Sequence, residues 1–517
     1  MKITTSRLVR VVTDEVAGVF DRTDSNNEPE LFFAPFGEAT MDGASLYLGF
    51  ESPSDVVNLF VDLYEDDLIP PGRHGNEPYY DFENATLVWE IYKEKDQQEE
   101  GHWCEIESES IYDETRGFKY SGRITLENIE KWKEKTLPFF DDDGYNLYWL
   151  RCRLKKSSFE YPPRIRTIRL NTIRATQGRT IKDAETFIGT GLPEQIYKLS
   201  YSPVLKGTVE LYIEDEQWME RPDFYGSGPQ DRHFCIDHKE GKIIFGDGLM
   251  GAVPPDGADI VVKHYRTGWG TTSNLPAGLQ WSVEGYPSVR ATNYSPTNGG
   301  RDEESVEEAR LRFLKDLRTP YRTVTSEDFE YIARNTPGLR IARTKAYVKG
   351  KTVYLVVVPY TPLEEFQRPP EPSDGMLNAI CRHIDSHRLV GTCFEVIKPD
   401  YIKVYISMKI KAKTGTDKNI LRERIIKRLN TYLHPVRGGS DGRGWPPGEP
   451  VYRSEIYRVV EGIEGVRCVM DVRIRGEKGA YTDQSGNLIL PGENSVVYPG
   501  SHSILFLKDQ ERCRKDG

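Results

Sequence analysis

Up to Ser295 the apolar residues of this chain fall in short, aromatic-rich, partly alternating runs divided by turn clusters. That pattern restricts the first half of the chain to β-structure. Ser45–Phe50 (SLYLGF), 58–64 (NLFVDLY), 86–92 (TLVWEIY) and 146–154 (NLYWLRCRL) read as strands. Pro70-Pro71-Gly72 and Asp141-Asp142-Asp143-Gly144 read as turns between them. Short strands at this spacing predict a β-sandwich over residues 1–175, closed by the Pro-led strand at 161–174. A second β-rich domain is expected over 176–297, with 208–213 (TVELYI), Lys242–Phe245 and 259–265 (DIVVKHY) as strands and Gly246-Asp247-Gly248 as a tight turn.

Beyond Ser305 the period changes from two to that of a helix. Residues 305–317 (SVEEARLRFLKDL) form a charged amphipathic pattern opened by a capping box, with Ser305 three residues before Glu308. A second helix is expected over 325–335, strands over 339–348 and 352–360, a helix over 376–387, and strands over 394–397 and 403–413. The order helix, strand, strand, helix, strand predicts a ferredoxin-like α+β domain over 298–400. A partial repeat supports a second one over 401–517: 326–346 (SEDFEYIARNTPGLRIARTKA) and 454–474 (SEIYRVVEGIEGVRCVMDVRI) both run from a helix through a Gly turn into an alternating strand. The tail, 479–507, reads as hairpin strands.

Composition narrows the function classes. The net charge of −11 disfavours a general nucleic-acid binder, which needs clustered Lys and Arg. No apolar run is long enough to span a membrane as a helix, and the N-terminal residues lack the apolar core of a secretion signal. The cysteines, Cys104, Cys152, Cys235, Cys381, Cys393, Cys468 and Cys513, are scattered and never form C-x-x-C. A disulfide framework or a zinc ribbon is therefore not expected, and folding in a reducing cytoplasm fits best.

Catalytic chemistry is not signalled. There is no phosphate-cradling G-x-x-x-x-G-K-[ST] loop and no G-x-S-x-G elbow. His383 and His387 have the helical spacing of a zinc pair but lack the glutamate base of H-E-x-x-H, and they read as two solvated histidines. His233, Cys235 and His238 read as an ordinary strand, and Asp141–Gly144 as a turn rather than a calcium loop. Asp247 paired with Glu51 or Asp113 has no positional support as a glycosidase dyad. Trp89, Trp103, Tyr148 and Trp149 could line a sugar-binding face, although strand-core packing is the expected use. The Gly- and Pro-rich stretch 435–450 reads as a loop that approaches a partner, with Trp445 as its anchor. No catalytic, cofactor or metal residue is assigned.

Taken in order, these motifs resemble the baseplate J-like family, wedge proteins of contractile phage tails and related injection particles. The resemblance is carried by Leu46-Tyr47-Leu48-Gly49-Phe50, by Pro162-Pro163-Arg164-Ile165 with Leu170-Asn171-Thr172, and by Phe245-Gly246-Asp247-Gly248 with Asn274-Leu275-Pro276-Ala277-Gly278. Its most specific stretch runs from Asn298-Gly299-Gly300 through Glu304-Ser305-Val306-Glu307-Glu308-Ala309-Arg310 to Val324-Thr325-Ser326-Glu327-Asp328-Phe329. Leu433-His434-Pro435, Gly444-Trp445-Pro446 and Ser454-Glu455-Ile456-Tyr457 complete it.

The resemblance implies a structural, non-enzymatic wedge component. Its implied partners are other wedge subunits, including a second J-like copy or paralogue, together with sheath-initiating and hub or spike proteins. It implies assembly in a bacterial cytoplasm and residence in the baseplate of a tail or released particle. Longer relatives carry a region before the sandwich, so a shortened or split subunit is also implied. Residue type and position single out Tyr321, Arg322, Trp445, Pro446 and Tyr452 as interface candidates, with Trp445→Ala expected to block assembly of a still-folded chain. The alternative is a carbohydrate-binding or glycan-hydrolysing particle protein built on the sandwich.

Overall fold

The computed structural model describes residues 4–507, apart from 29, 76, 81–84, 96–97, 138–145, 269 and 363–368. The chain is β-rich and divides into two compact units. One is discontinuous, Met1–Thr172 with Thr319–Gly517; the other is Ile173–Arg318. This partition is coarser than the four expected segments, and it keeps the residues up to Arg318 with the middle β domain.

The first unit opens with a β-sandwich. One sheet runs in the order Gly18–Asp21, Leu8–Glu15, Ser45–Phe50, Leu147–Ser157, Ala85–Lys95, Gln98–Glu105; the other runs Ile165–Leu170, Val57–Leu63, Gly122–Leu126, Ile111–Asp113. Both are antiparallel. Leu46, Leu48 and Phe50 point between the sheets onto Leu59, Ile124 and Ile165. The alternate residue Tyr47 joins Val12, Leu147 and Trp149 in a second apolar cluster. Side chains of Ser45–Phe50 are thus covered on both faces, which explains why this run is apolar throughout instead of alternating. Trp89 and Trp149 are buried, as the core reading expected.

The same unit continues with α+β structure. Ile341–Lys349 runs antiparallel to Thr352–Pro359, which pairs in parallel with Cys393–Ile397. The helices Ser326–Arg334 and Asp374–His387 share a core with this sheet, through Phe329, Ile332, Leu355, Val357 and Ile380. A second sheet is built on the long strand Asp400–Ala412, antiparallel to Val466–Gly476, with helices Lys418–Tyr432 and Arg453–Glu461 adding Ile425, Leu429 and Ile456 to its core. The two halves of the sequence repeat are each a helix followed by a strand. The tail departs from the hairpin expectation. Tyr481–Thr482 and Leu488–Ile489 form a hairpin, but Ser495–Pro499 and Ser503–Phe506 both run parallel to Asp400–Ala412. Between them the Gly500 amide donates to the Val404 carbonyl, so the chain breaks step and continues along the same neighbour instead of turning back.

The second unit is a sheet in the order Arg179–Ile188, Asp259–Thr267, Glu210–Ile213, Glu216–Glu220, His233–Asp237, Lys242–Phe245, Ile196–Lys198, packed over Leu211, Trp218, Phe234, Phe245 and Tyr265. A ribbon of Gln280–Val283 and Tyr286–Thr292 follows, then the helix Val306–Arg318. The capping box is present: the Glu308 amide donates to Ser305 Oγ at 3.2 Å, and the Ser305 amide to Glu308 Oε2 at 2.8 Å.

Cys104, Cys152, Cys235, Cys381 and Cys393 are free, whereas Cys468 is disulfide-bonded and departs from the expectation of scattered thiols.

Within the first unit the loop after Val57–Leu63 is fixed to the α+β part. The Gly72 amide donates to Leu339 O at 2.7 Å, and the Gly338 amide donates to Gly72 O at 3.1 Å. The Arg340 guanidinium donates to Ile69 O at 2.8 Å, Glu65 Oε1 at 2.8 Å and the Tyr161 hydroxyl at 3.2 Å. A Cβ on residue 72 would lie 2.5 Å from the Thr336 carbonyl oxygen, which is backbone and cannot swing aside. Gly72→Ala is therefore expected to destabilise the first unit by about 1–3 kcal/mol, the usual cost of overpacking. Urea unfolding checks this, and an unchanged midpoint would contradict the close approach.

Candidate metal centre

The helix Asp374–His387 is started by Ser373, whose Oγ accepts the Met376 amide at 3.0 Å and donates to Glu160 Oε1 at 2.5 Å. Its buried residues are Met376, Ala379, Ile380, His383, Ile384 and His387, one stripe at helical spacing. The two histidines belong to the core-facing stripe and are 0 % and 3 % exposed. The expectation that they are solvated is overturned. Polar residues on an apolar stripe need partners, and here these come from distant parts of the chain.

The loop held by Gly72 and Arg340 supplies His74 and Glu77. His74 is buried, and Glu77 is partly exposed. Glu77 Oε1 lies 2.8 Å from His387 Nε2 and 3.4 Å from His74 Nδ1, and Oε2 lies 3.1 Å from His383 Nδ1. One donor atom from each of the four residues falls within a set spanning no more than 4.8 Å. The rings of His74 and His387 meet edge to face at 4.5 Å, and the Tyr321 ring stacks on His74 at 5.6 Å. The Tyr80 hydroxyl is 3.3 Å from His383 Nδ1.

The outer nitrogens decide the tautomers. His387 Nδ1 is 2.9 Å from the Tyr321 carbonyl oxygen, and His74 Nε2 is 3.1 Å from that of Pro320. A carbonyl only accepts, so each of these nitrogens carries a proton and donates it. In the neutral ring the other nitrogen then presents a lone pair, and in both residues it faces the Glu77 carboxylate. His383 Nε2 is buried without a hydrogen-bond partner. Burial pushes the His383 imidazole down to about 4, against the opposing pull of Glu77. Despite the upward push of its own burial, Glu77 is held below the usual carboxylate range by His383 and His387. With their outer nitrogens donating to carbonyls, His74 and His387 turn their inner nitrogens toward the same carboxylate, which makes the site rich in acceptors.

Sequence reasoning found His383 and His387 but missed their partners. His74 and Glu77 were given no role. Their signal was an H-x-x-E pair beside Pro70-Pro71-Gly72, and nothing in the sequence ties that pair to a helix more than three hundred positions later.

The interface candidates separate. Tyr321 and Arg322 are exposed. Besides the Tyr321 carbonyl, the Arg322 guanidinium donates to Ser386 O at 3.0 Å, so both cover the C-terminal end of the histidine helix. Tyr452 is 41 % exposed and stands before the helix Arg453–Glu461, and Pro446 is half-buried. Trp445 differs from the anchor expected. It is 2 % exposed, packs edge to face on Tyr432 at 5.5 Å and donates to Glu449 O at 3.0 Å. Its loop is docked on its own chain, where Arg343 donates to Asp441 Oδ1 at 2.9 Å and to Arg443 O at 3.0 Å. Gly444, at φ +97°, permits this because a Cβ there would meet the Pro435 carbonyl oxygen.

The remaining candidates form no centre among the described residues. His233 pairs with Ser227 at 2.8 Å, and His238 with Val204 O at 3.2 Å. Asp247 Oδ1 accepts the Leu249 and Met250 amides, and Asp113 holds Thr115 and Gly117, so each is occupied by its own turn. Asp141–Gly144 lies outside the described residues. Trp103 is half-buried, with the Arg151 guanidinium 4.2 Å from its ring centre.

No family model matches the chain, and a search of curated proteins gives no match. Among solved structures, a chain of the cryo-EM structure of the anti-feeding prophage (AFP) baseplate, 6-fold symmetrised, aligns over 64 % of this chain and 74 % of its own, with 12 % identity and a TM-score of 0.35. So loose a superposition carries no argument about fold or function.

The burial of Trp445 changes what its removal should do. Trp445→Ala is expected to lower the stability of the folded chain by about 3–5 kcal/mol, as for other buried aromatics. Denaturant unfolding of the isolated chain reads this directly, and a loss under about 1 kcal/mol would restore the surface-anchor reading.

Proposed function

We propose that this chain is a structural, non-enzymatic component of a contractile tail-like baseplate. In this reading it is a wedge subunit that links its neighbours around the tube and spike and rearranges to trigger sheath contraction. The support is the ordered set of motifs from Leu46 to Tyr457, together with one observation at their most specific stretch. The helix Val306–Arg318 buries none of its residues. Val306, Phe313 and Leu317 recur at i, i+7 and i+11 on one face and are 88 %, 59 % and 67 % exposed.

A helix of this length gains most of its stability from packing its apolar face, and one without such packing is marginal in water. The capping box and the ion pair of Arg312 with Glu304 set its start, but they do not shield three large apolar side chains. Cover by another subunit accounts for the pattern. In the same reading, 298–400 and 401–517 are ferredoxin-like domains. The partners are wedge, sheath-initiating and hub or spike proteins, and the chain assembles in a bacterial cytoplasm before residing in the particle. The glycan-binding alternative loses its main support, because Trp89 and Trp149 are core residues.

The double substitution Phe313→Asp with Leu317→Asp tests the assignment. Both side chains are exposed, so the isolated chain should keep its stability to within about 0.5 kcal/mol. Electron microscopy of particles assembled with the variant should show baseplates missing or incomplete. Normal baseplates containing the variant would contradict the proposal.

A further inference from the structure

We propose that His74, Glu77, His383 and His387 bind one divalent first-row transition ion of the zinc class, as a structural staple between the sandwich loop and the helix Asp374–His387. The inference is independent of the assembly reading.

Donor chemistry is the first argument. Three imidazole nitrogens and one carboxylate oxygen form a borderline N/O set that suits zinc and its neighbours and is poor for calcium or magnesium, which prefer all-oxygen shells. The present spread of up to 4.8 Å is wider than the edge of roughly 3.3 Å that bonds of about 2.0–2.1 Å give in a tetrahedron. Binding therefore draws the widest-spaced donors inward, while the His387–Glu77 pair at 2.8 Å opens slightly.

The second argument is the outer shell, which is independent of the donor count. Metal-bound histidines typically donate their other N–H to a carbonyl or a carboxylate, which fixes the ring and its tautomer. His74 and His387 do this with the adjacent carbonyls of Pro320 and Tyr321. Two successive backbone groups thus aim two lone pairs at one carboxylate. Lone pair facing lone pair at 2.8 Å is repulsive unless a cation lies between, either a proton or a metal. A single metal ion satisfies both nitrogens and the carboxylate together, whereas protons must be placed on buried rings.

Burial supplies the role. All three histidines are buried, and four protein donors complete a tetrahedral shell, so no position is left for a substrate. Glu77 and His387 are 310 positions apart in sequence, and the ion would tie the loop to the helix end through direct bonds.

The test uses the full chain, stripped with a chelator and re-equilibrated with Zn²⁺, Co²⁺ or Mg²⁺. One Zn²⁺ per chain should survive gel filtration and raise the melting temperature. Co²⁺ should give the intense visible absorption of a tetrahedral site, and Mg²⁺ should do neither. Glu77→Gln and His383→Ala should each weaken Zn²⁺ binding at least about 100-fold, while His264→Ala, a half-buried histidine of the other unit, should bind as the parent does. Should those variants fail to fold, X-ray absorption at the zinc edge of the parent chain decides, with three imidazole nitrogens and one oxygen expected. A folded parent chain that retains no zinc, zinc bound equally by Glu77→Gln, or a shell without imidazole would each overturn the proposal.

Discussion

The Glu77 carboxylate sits among three imidazoles, and a negative group so placed cannot be left uncompensated. Two of those rings are turned by backbone carbonyls so that their inner nitrogens face it. Much of the larger unit depends on how that charge is balanced. The loop carrying Glu77 leaves the sandwich after Val57–Leu63, and its partners lie on the last turns of a helix in the α+β region. If the centre is closed, sandwich and α+β structure form one body. If it is open, the loop still has the contacts of Gly72 and Arg340 and the Tyr360 hydroxyl donating to Asp67 O.

The surrounding structure favours closure. Gly72 allows the loop to lie directly against the backbone at Thr336. Arg340 reaches three acceptors on the sandwich side. These contacts bring His74 and Glu77 to the helix without help from an ion, which is the preorganisation that a structural site requires. The exposed helix Val306–Arg318 is the opposite case. Its sequence sets a capped, amphipathic helix, yet among the described residues none of its side chains is buried.

Local features were legible in the sequence where one principle governed them. The strand Ser45–Phe50, the capping box at Ser305 and Glu308, and the helix–strand repeat all follow from period and capping chemistry. Features set by tertiary packing were not. His383 and His387 looked solvated because charge and spacing alone do not reveal which stripe of a helix faces the core. Trp445 looked like an exposed anchor because a Gly- and Pro-rich loop normally lies on the surface. The return of Arg343 to Asp441 and Arg443, which docks that loop on the preceding α+β sheet, has no local signal. The parallel pairing of Ser503–Phe506 was hidden for the same reason, since a short strand does not announce its neighbour.

The central claim concerns what occupies the space between Glu77 and the three histidines. Anomalous diffraction at the zinc edge, from crystals of the full chain grown with Zn²⁺, observes it directly. The account predicts a single strong peak within bonding distance of His74, Glu77, His383 and His387. A well-ordered site with no peak there, and Glu77 hydrogen-bonded to protonated imidazoles, would contradict it.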